Sequence, residues 1–258
     1  MSNFLYPILE FDPSQKAIID PKLVYQKIKV PKICLFTLYY HITEKFSAEG
    51  LLEKVYEIES TVTHPFTLYR LEYKGKEIAI ASSALGAPYA ASVLEIAIAH
   101  GCTQFLVIGS CGVLENRIQR NQFVIPNAAI RDEGTSYHYV APSREIEADS
   151  KIVGRISSYL SKNNIKNIIG KTWTTDAFFR ETFGKIKRRK AEGAVIVEME
   201  AAALFAVAKF RNVKLGYILA GGDDVSGLEW DRRLKMRSAD FYERFFWLAV
   251  EICQEIYS

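Results

Sequence analysis

Val195-Ile-Val-Glu198-Met199-Glu200-Ala-Ala-Ala-Leu-Phe-Ala-Val-Ala208 is the stretch on which the fold turns. Its first three residues are β-branched and apolar, and from Ala201 onward the composition switches to small, apolar helix formers. A buried strand running straight into a buried helix is a building unit of layered α/β proteins. The two acids at the junction sit where an unpaired charge costs several kcal/mol. Two readings meet there. Acids in the first turn of a helix suit its dipole. A buried carboxylate also accepts hydrogen bonds from a ligand, and a sugar diol presents two donors side by side.

The flanking sequence repeats the strand-to-helix pattern. Ile33–Phe36 reads as a strand, Ser47–Val55 as a helix, and Phe66–Tyr73 with Lys76–Ser82 as a hairpin turning at Lys74-Gly75. Ala84-Leu-Gly86-Ala-Pro88 leads into a helix over Tyr89–His100, followed by a strand over Gln104–Ile108. Further strands are expected at Phe123–Ile125, Asn167–Thr172 and Leu215–Ala220, with helices at Lys151–Asn163 and Thr182–Glu192. Polar groups collect just after the strands, at Gly109-Ser-Cys-Gly112, Thr174-Thr-Asp176-Ala-Phe178-Phe179, Glu198-Met-Glu200 and Gly221-Gly-Asp223-Asp224. Open α/β sheets bind ligands at those carboxyl ends.

With 258 residues and 49% hydrophobic content the chain can bury one large core. Thirty-three basic residues against 30 acidic ones leave +3, too balanced for a nucleic-acid groove or an anionic membrane surface. The basic run Lys185–Lys190 reads as a solvated helix face. No apolar run approaches the ~20 residues of a membrane span and the first residues lack a signal-peptide pattern, so a cytoplasmic protein is expected. Cys34, Cys102, Cys111 and Cys253 are widely spaced and read as buried free thiols, not as metal ligands. Residues 1–30, with Pro7, Pro13 and Pro21, form an irregular arm, and residues 31–258 form one domain.

In this order the motifs resemble the nucleoside phosphorylase and nucleosidase superfamily, which includes purine nucleoside phosphorylases, uridine phosphorylases and methylthioadenosine nucleosidases. The likeness runs from about Lys32 to Phe246 and is carried by Tyr73-Lys-Gly75, Gly109-Ser-Cys-Gly112, Asp176-Ala-Phe178, Val197-Glu-Met-Glu-Ala-Ala202 and Asp223. It implies a single-domain, three-layer α/β fold with a central mixed β-sheet flanked by helices. It also implies that Glu200 accepts the ribose hydroxyls, that Met199 packs beneath the sugar with Glu198 in support, and that Phe178 stacks on the base. Ser110 would lie by the phosphate or nucleophile, and Asp223 would hand a proton to the departing base. Such bond breaking passes through an oxocarbenium-like state, so sugar, positive charge and leaving group must all be managed. To be a proton donor at neutral pH, Asp223 needs its pKa raised by burial or by sharing a proton with Asp224.

The anion side departs from the pattern. A phosphate dianion calls for arginines and turn amides, yet Leu38, Ile42 and Val107 stand where the resemblance places a glycine and two arginines, and Gly222 replaces a serine. His64 falls near the position of a neighbour-supplied arginine; Gly86 and Arg131 are the other residues placed on this side, and Arg237 is a candidate to poise Asp223. Thr182 and Gly184 replace the glutamine and arginine of uridine-cleaving relatives, which tilts the base toward a purine. The resemblance therefore implies phosphorolysis of a nucleoside, with hydrolysis and silent nucleoside binding as alternatives. It implies no metal or organic cofactor, phosphate as co-substrate, no nucleic-acid or membrane partner, and a homodimer or homohexamer.

Overall fold

The computed structural model describes residues 6–58, 65–234 and 240–257, so His64 and Arg237 lie outside the described residues. In chain order the elements are α1 (Pro21–Val24), β1 (Ile33–Thr37), α2 (Tyr40–Ala48), β2 (Glu53–Ile58), β3 (Phe66–Tyr73), β4 (Lys76–Ser82), α3 (Ala87–His100), β5 (Gln104–Val113), β6 (Phe123–Asp132), β7 (Glu145–Glu147), α4 (Ser150–Lys162), β8 (Asn167–Thr175), α5 (Phe183–Ala191), β9 (Ala194–Glu198), α6 (Ala201–Arg211), β10 (Lys214–Asp224) and α7 (Phe241–Ile256).

All ten strands share one mixed sheet. One wing runs β2-β3-β4-β1-β5, with β1 parallel to both β4 and β5. β5 also pairs with β10 in parallel and, at Gly112 and Val113, with β9 antiparallel. Because β10 pairs β6, β6 pairs β8 and β8 pairs β9, these five strands close into a ring. The ring gathers the ends of β5, β8, β9 and β10 around one opening.

Helices cover both faces, giving the expected three layers. On one side Leu94 and Ala97 of α3 and Leu204 and Val207 of α6 pack on Phe36, Phe105 and Val107. On the other, Ile42, Ile156, Phe245 and Val250 pack on Leu35, Ile108 and Ile218. The alanines of α6 let its first eight residues, Ala201–Ala208, be buried all round. The helix stops at Asn212, which takes a left-handed conformation with φ 55°.

Four expectations change. Ser47–Val55 is not a helix: α2 ends at Ala48, Gly50 turns at φ +74°, and Glu53–Ile58 is an edge strand on β3. Its apolar spacing suited either period. β5 runs through Gly109-Ser-Cys-Gly112 and does not stop before it; a side chain at Gly109 would meet Leu38 Cδ1 at 2.8 Å. α7, absent from the sequence reading, supplies much of the second core. The basic run is not wholly solvated, since Arg189 is buried and bonds to Asp132 and Glu192.

The arm's Tyr25 ring lies 5.8 Å from His100 of α3, and His100 Nδ1 is 2.8 Å from the Gln26 carbonyl. All four cysteines are free and buried. Among the described residues no helix is long and apolar enough to cross a membrane.

Candidate active site

Both acids of the opening motif are buried, but they are held differently. Glu198 closes β9 and serves as the anchor of the α6 N-terminus. Its Oε2 accepts from the amides of Glu200 and Ala201 at 2.7 and 2.6 Å, and its Oε1 accepts from the hydroxyls of Thr172 and Thr174 at 3.1 and 2.6 Å. Thr174 Oγ1 in turn accepts from Ala202 N at 3.0 Å. With its acceptors filled by the chain itself, Glu198 positions the loop that carries Met199 and Glu200, a supporting place on the cavity wall.

Glu200 is 2% exposed and among the described residues accepts only from Gly86 N at 2.7 Å and Met199 N at 3.3 Å. Burial, then the neighbouring Glu198 charge, pushes its carboxyl up to about 8. Burial pushes Glu198 up as well, against the pull of its donors. The proton of the pair rests on Glu200, because Glu198 has four donors to stabilise its charge and Glu200 has two. Gly86, placed by the sequence on the nucleophile side, serves this carboxylate instead; its φ of 104° is one that L side chains rarely adopt.

A cavity of about 460 Å³ opens beside these acids, lined among others by Ser110, Phe178, Met199, Glu200, Asp223 and Trp230. Four separate strand ends therefore meet there. Phe178 is half-exposed and its ring centroid lies 4.0 Å from that of Phe179, so the two rings form an apolar wall. Asp176 holds this turn by accepting from Gly134 N at 2.8 Å. Asp223 Oδ2 accepts from the Trp230 indole at 2.5 Å.

Asp224 does not share a proton with Asp223. It is partly buried, which raises its pKa, but hydrogen bonds from Ser226 and the Arg233 guanidinium outweigh this and hold it below the usual carboxylate range. The like-charged neighbour of Asp223 is Glu181 on the same cavity wall, pushed up to about 7 by burial and then by the Asp223 charge. No sequence signal marked Glu181 or Trp230, because each comes from a turn whose place is set by ring closure.

The arrangement can hold a small polar ring against an acid that is protonated at rest and an aromatic wall. Residues 43–245, most of the chain, match the phosphorylase superfamily. The chain belongs to this superfamily. It is similar to a guanosine phosphorylase of Halorubrum lacusprofundi, 26% identical over 69% of this chain and 76% of that protein. It is similar also to a DeoD-type purine nucleoside phosphorylase of Buchnera aphidicola, 28% identical over 65% of this chain and 71% of the relative. In fold it is similar to a uridine phosphorylase structure from Vibrio fischeri, with a TM-score of 0.66 at 19% identity, covering 92% of this chain and 91% of that one.

On the anion side, at the positions where the resemblance places a glycine and two arginines, the structure is apolar: Ile42 and Val107 are core residues, and Leu38 packs over Gly109. Arg131, assigned to this side from sequence, is corrected: its guanidinium donates to Ser136, Ser143 and the carbonyls of Val140 and Ala141, and stacks 4.2 Å from the Tyr137 ring. It ties down its own loop. Ser110, by contrast, faces the cavity. Gly222 has a steric cause: a Cβ there would lie 2.9 Å from the Cys111 carbonyl oxygen, too close for the serine of the pattern.

Proposed function

We propose that this protein cleaves the N-glycosidic bond of a nucleoside by phosphorolysis, releasing the base and a pentose 1-phosphate. The observation that carries the reading is Glu200. It is a buried carboxyl with two amide donors and no compensating cation among the described residues, placed at the rim of a cavity shared with Met199, Phe178 and Asp223. The hydroxyl pair of a ribose supplies the donors that let Glu200 ionise. Fixing the sugar there, with Phe178 against the base, leaves Asp223 to protonate the departing ring as positive charge develops at the sugar.

Support for phosphate as the nucleophile comes from the phosphorylases among the relatives. A purine base fits Asp223 and the absence of the uridine-specific glutamine and arginine at Thr182 and Gly184. The reading calls for phosphate as co-substrate and for no further cofactor. It also implies a homodimer or homohexamer, with the exposed Ile18, Ile19, Leu23 and Val24 of the arm available for that contact, in a cytoplasmic setting that suits four free thiols.

The test is a panel of purine and pyrimidine nucleosides incubated with and without phosphate, with free base measured. Base release that requires phosphate is the expected result. Equal release without phosphate makes the protein a nucleosidase, and tight binding without release makes it a silent binder; either outcome overturns phosphorolysis.

A further inference from the structure

The phosphorolysis reading leaves the nucleophile without its arginines, and a second cavity addresses that gap. It measures about 200 Å³ and is lined among others by Tyr39, Ser110, Arg120, Asp223, Trp230 and Arg232. Ser110, Asp223 and Trp230 are common to it and to the larger cavity, so the two are compartments of one site.

Its wall carries a cationic donor that no described residue satisfies. Arg120 Nε is buried without a hydrogen-bond partner among the described residues, and the buried Tyr39 hydroxyl lies toward Ser110. Of the five guanidinium donors of Arg120, the one hydrogen bond made among the described residues runs from Nη1 to the Arg232 carbonyl at 3.3 Å. The Arg232 guanidinium sits 5.2 Å over the Trp230 ring. Buried donors without acceptors are costly, and two guanidinium groups against one carboxylate leave a positive balance. An anion with several acceptor oxygens meets both demands.

The turn holding Arg120 is also fixed in place. Asn121, at φ 64°, donates its amide to the Gly221 carbonyl at 2.7 Å, and Arg233 Nη1 donates to the Ile118 carbonyl at 2.7 Å. Gly221 approaches so closely that an added Cβ would lie 2.6 Å from the Gln119 carbonyl oxygen. Donors on a preformed turn lose little freedom when they bind.

We infer that the Arg120 turn, with Ser110, Tyr39 and Arg232, forms the phosphate-binding compartment of this enzyme, replacing the apolar-filled positions at Leu38, Ile42 and Val107. The inference rests on the phosphorolysis reading for the role of the anion, but not for its binding.

The experiment compares wild type, Arg120→Met and Arg120→Lys in two arms. In the first, inorganic phosphate is titrated into unliganded protein and binding is followed by thermal shift and calorimetry. In the second, steady-state kinetics separates KM for phosphate from KM for nucleoside. Arg120→Met is expected to weaken phosphate binding and raise phosphate KM roughly ten- to hundredfold, as befits removal of one charge-assisted hydrogen bond. Nucleoside KM should stay within about twofold, and Arg120→Lys should restore part of the phosphate affinity. Unchanged phosphate binding in Arg120→Met overturns the inference. So does weaker binding of ribose 5-phosphate with phosphate binding intact, which would make the ligand a phosphomonoester on the substrate. Should the wild type release base without phosphate, the phosphorolysis reading fails on its own, while the first arm still decides whether an anion binds at Arg120.

Discussion

Nucleoside binding should expel a proton, and Glu200 sets how much. In the unliganded protein its carboxyl is raised to about 8, so at pH 7 it is about 90% protonated. A ribose diol brings two donors that stabilise the charged form more than the neutral one. Each such hydrogen bond contributes about 1.5–3 kcal/mol, and a fall of two pKa units requires about 2.7 kcal/mol, so the bound pKa drops to about 6 or below. The difference in occupancy is about 0.8 proton released per site at pH 7. Nucleoside affinity should therefore rise with pH from about 6 to about 8 and level off above it. The assay is calorimetric titration of nucleoside, without phosphate, in buffers of different ionisation enthalpy; the slope of observed heat against buffer enthalpy counts the protons. Glu200→Gln should give a slope near zero. A wild-type slope of zero at pH 7, or one unchanged in Glu200→Gln, would refute the reasoning.

Glu200→Ala should lower kcat/KM by orders of magnitude while circular dichroism stays unchanged, since it removes hydrogen bonds to the sugar that tighten in the transition state. Asp223→Asn should impair purine nucleosides far more than a substrate with an activated leaving group; equal impairment would remove Asp223 as the acid. Glu198→Gln turns an amide NH₂ toward donors that now meet a carboxylate oxygen, so thermal denaturation should report a loss of about 2–4 kcal/mol. Glu181, raised to about 7 by burial and the Asp223 charge, stabilises the unliganded fold below its unfolded pKa and loses that contribution as pH rises through about 7. Wild-type Tm should thus fall between about pH 4.5 and 7 more steeply than that of Glu181→Gln, and parallel curves over that range would contradict the assignment.

The family was readable from the chain, and so was the buried acid pair at the strand–helix junction, because each is encoded locally. A β-branched run, two acids and an alanine-rich helix specify their own strand, junction and packing without reference to anything distant. What was not readable depends on closure of the five-stranded ring. Which of Glu198 and Glu200 has its acceptors filled by the chain is decided by Thr172 and Thr174 on β8, more than 20 residues earlier. Asp224 follows Asp223 in the sequence, yet Arg233 claims its carboxylate, and the carboxyl that feels the Asp223 charge is Glu181. Arg131 looked available because a charged residue after a strand resembles a site residue, and its burial by its own loop carries no local signature. The Arg120 turn meets Tyr39 because β5 and β10 bring their ends together at Ser110 and Gly221.

A crystal structure with ribose 1-phosphate or a purine nucleoside bound tests the central claim most directly. The 2′- and 3′-hydroxyls are expected within hydrogen-bond distance of Glu200, with Met199 beneath the sugar and the anomeric carbon turned toward Ser110. A sugar bound elsewhere, with Glu200 keeping only Gly86 and Met199 as partners, would contradict it.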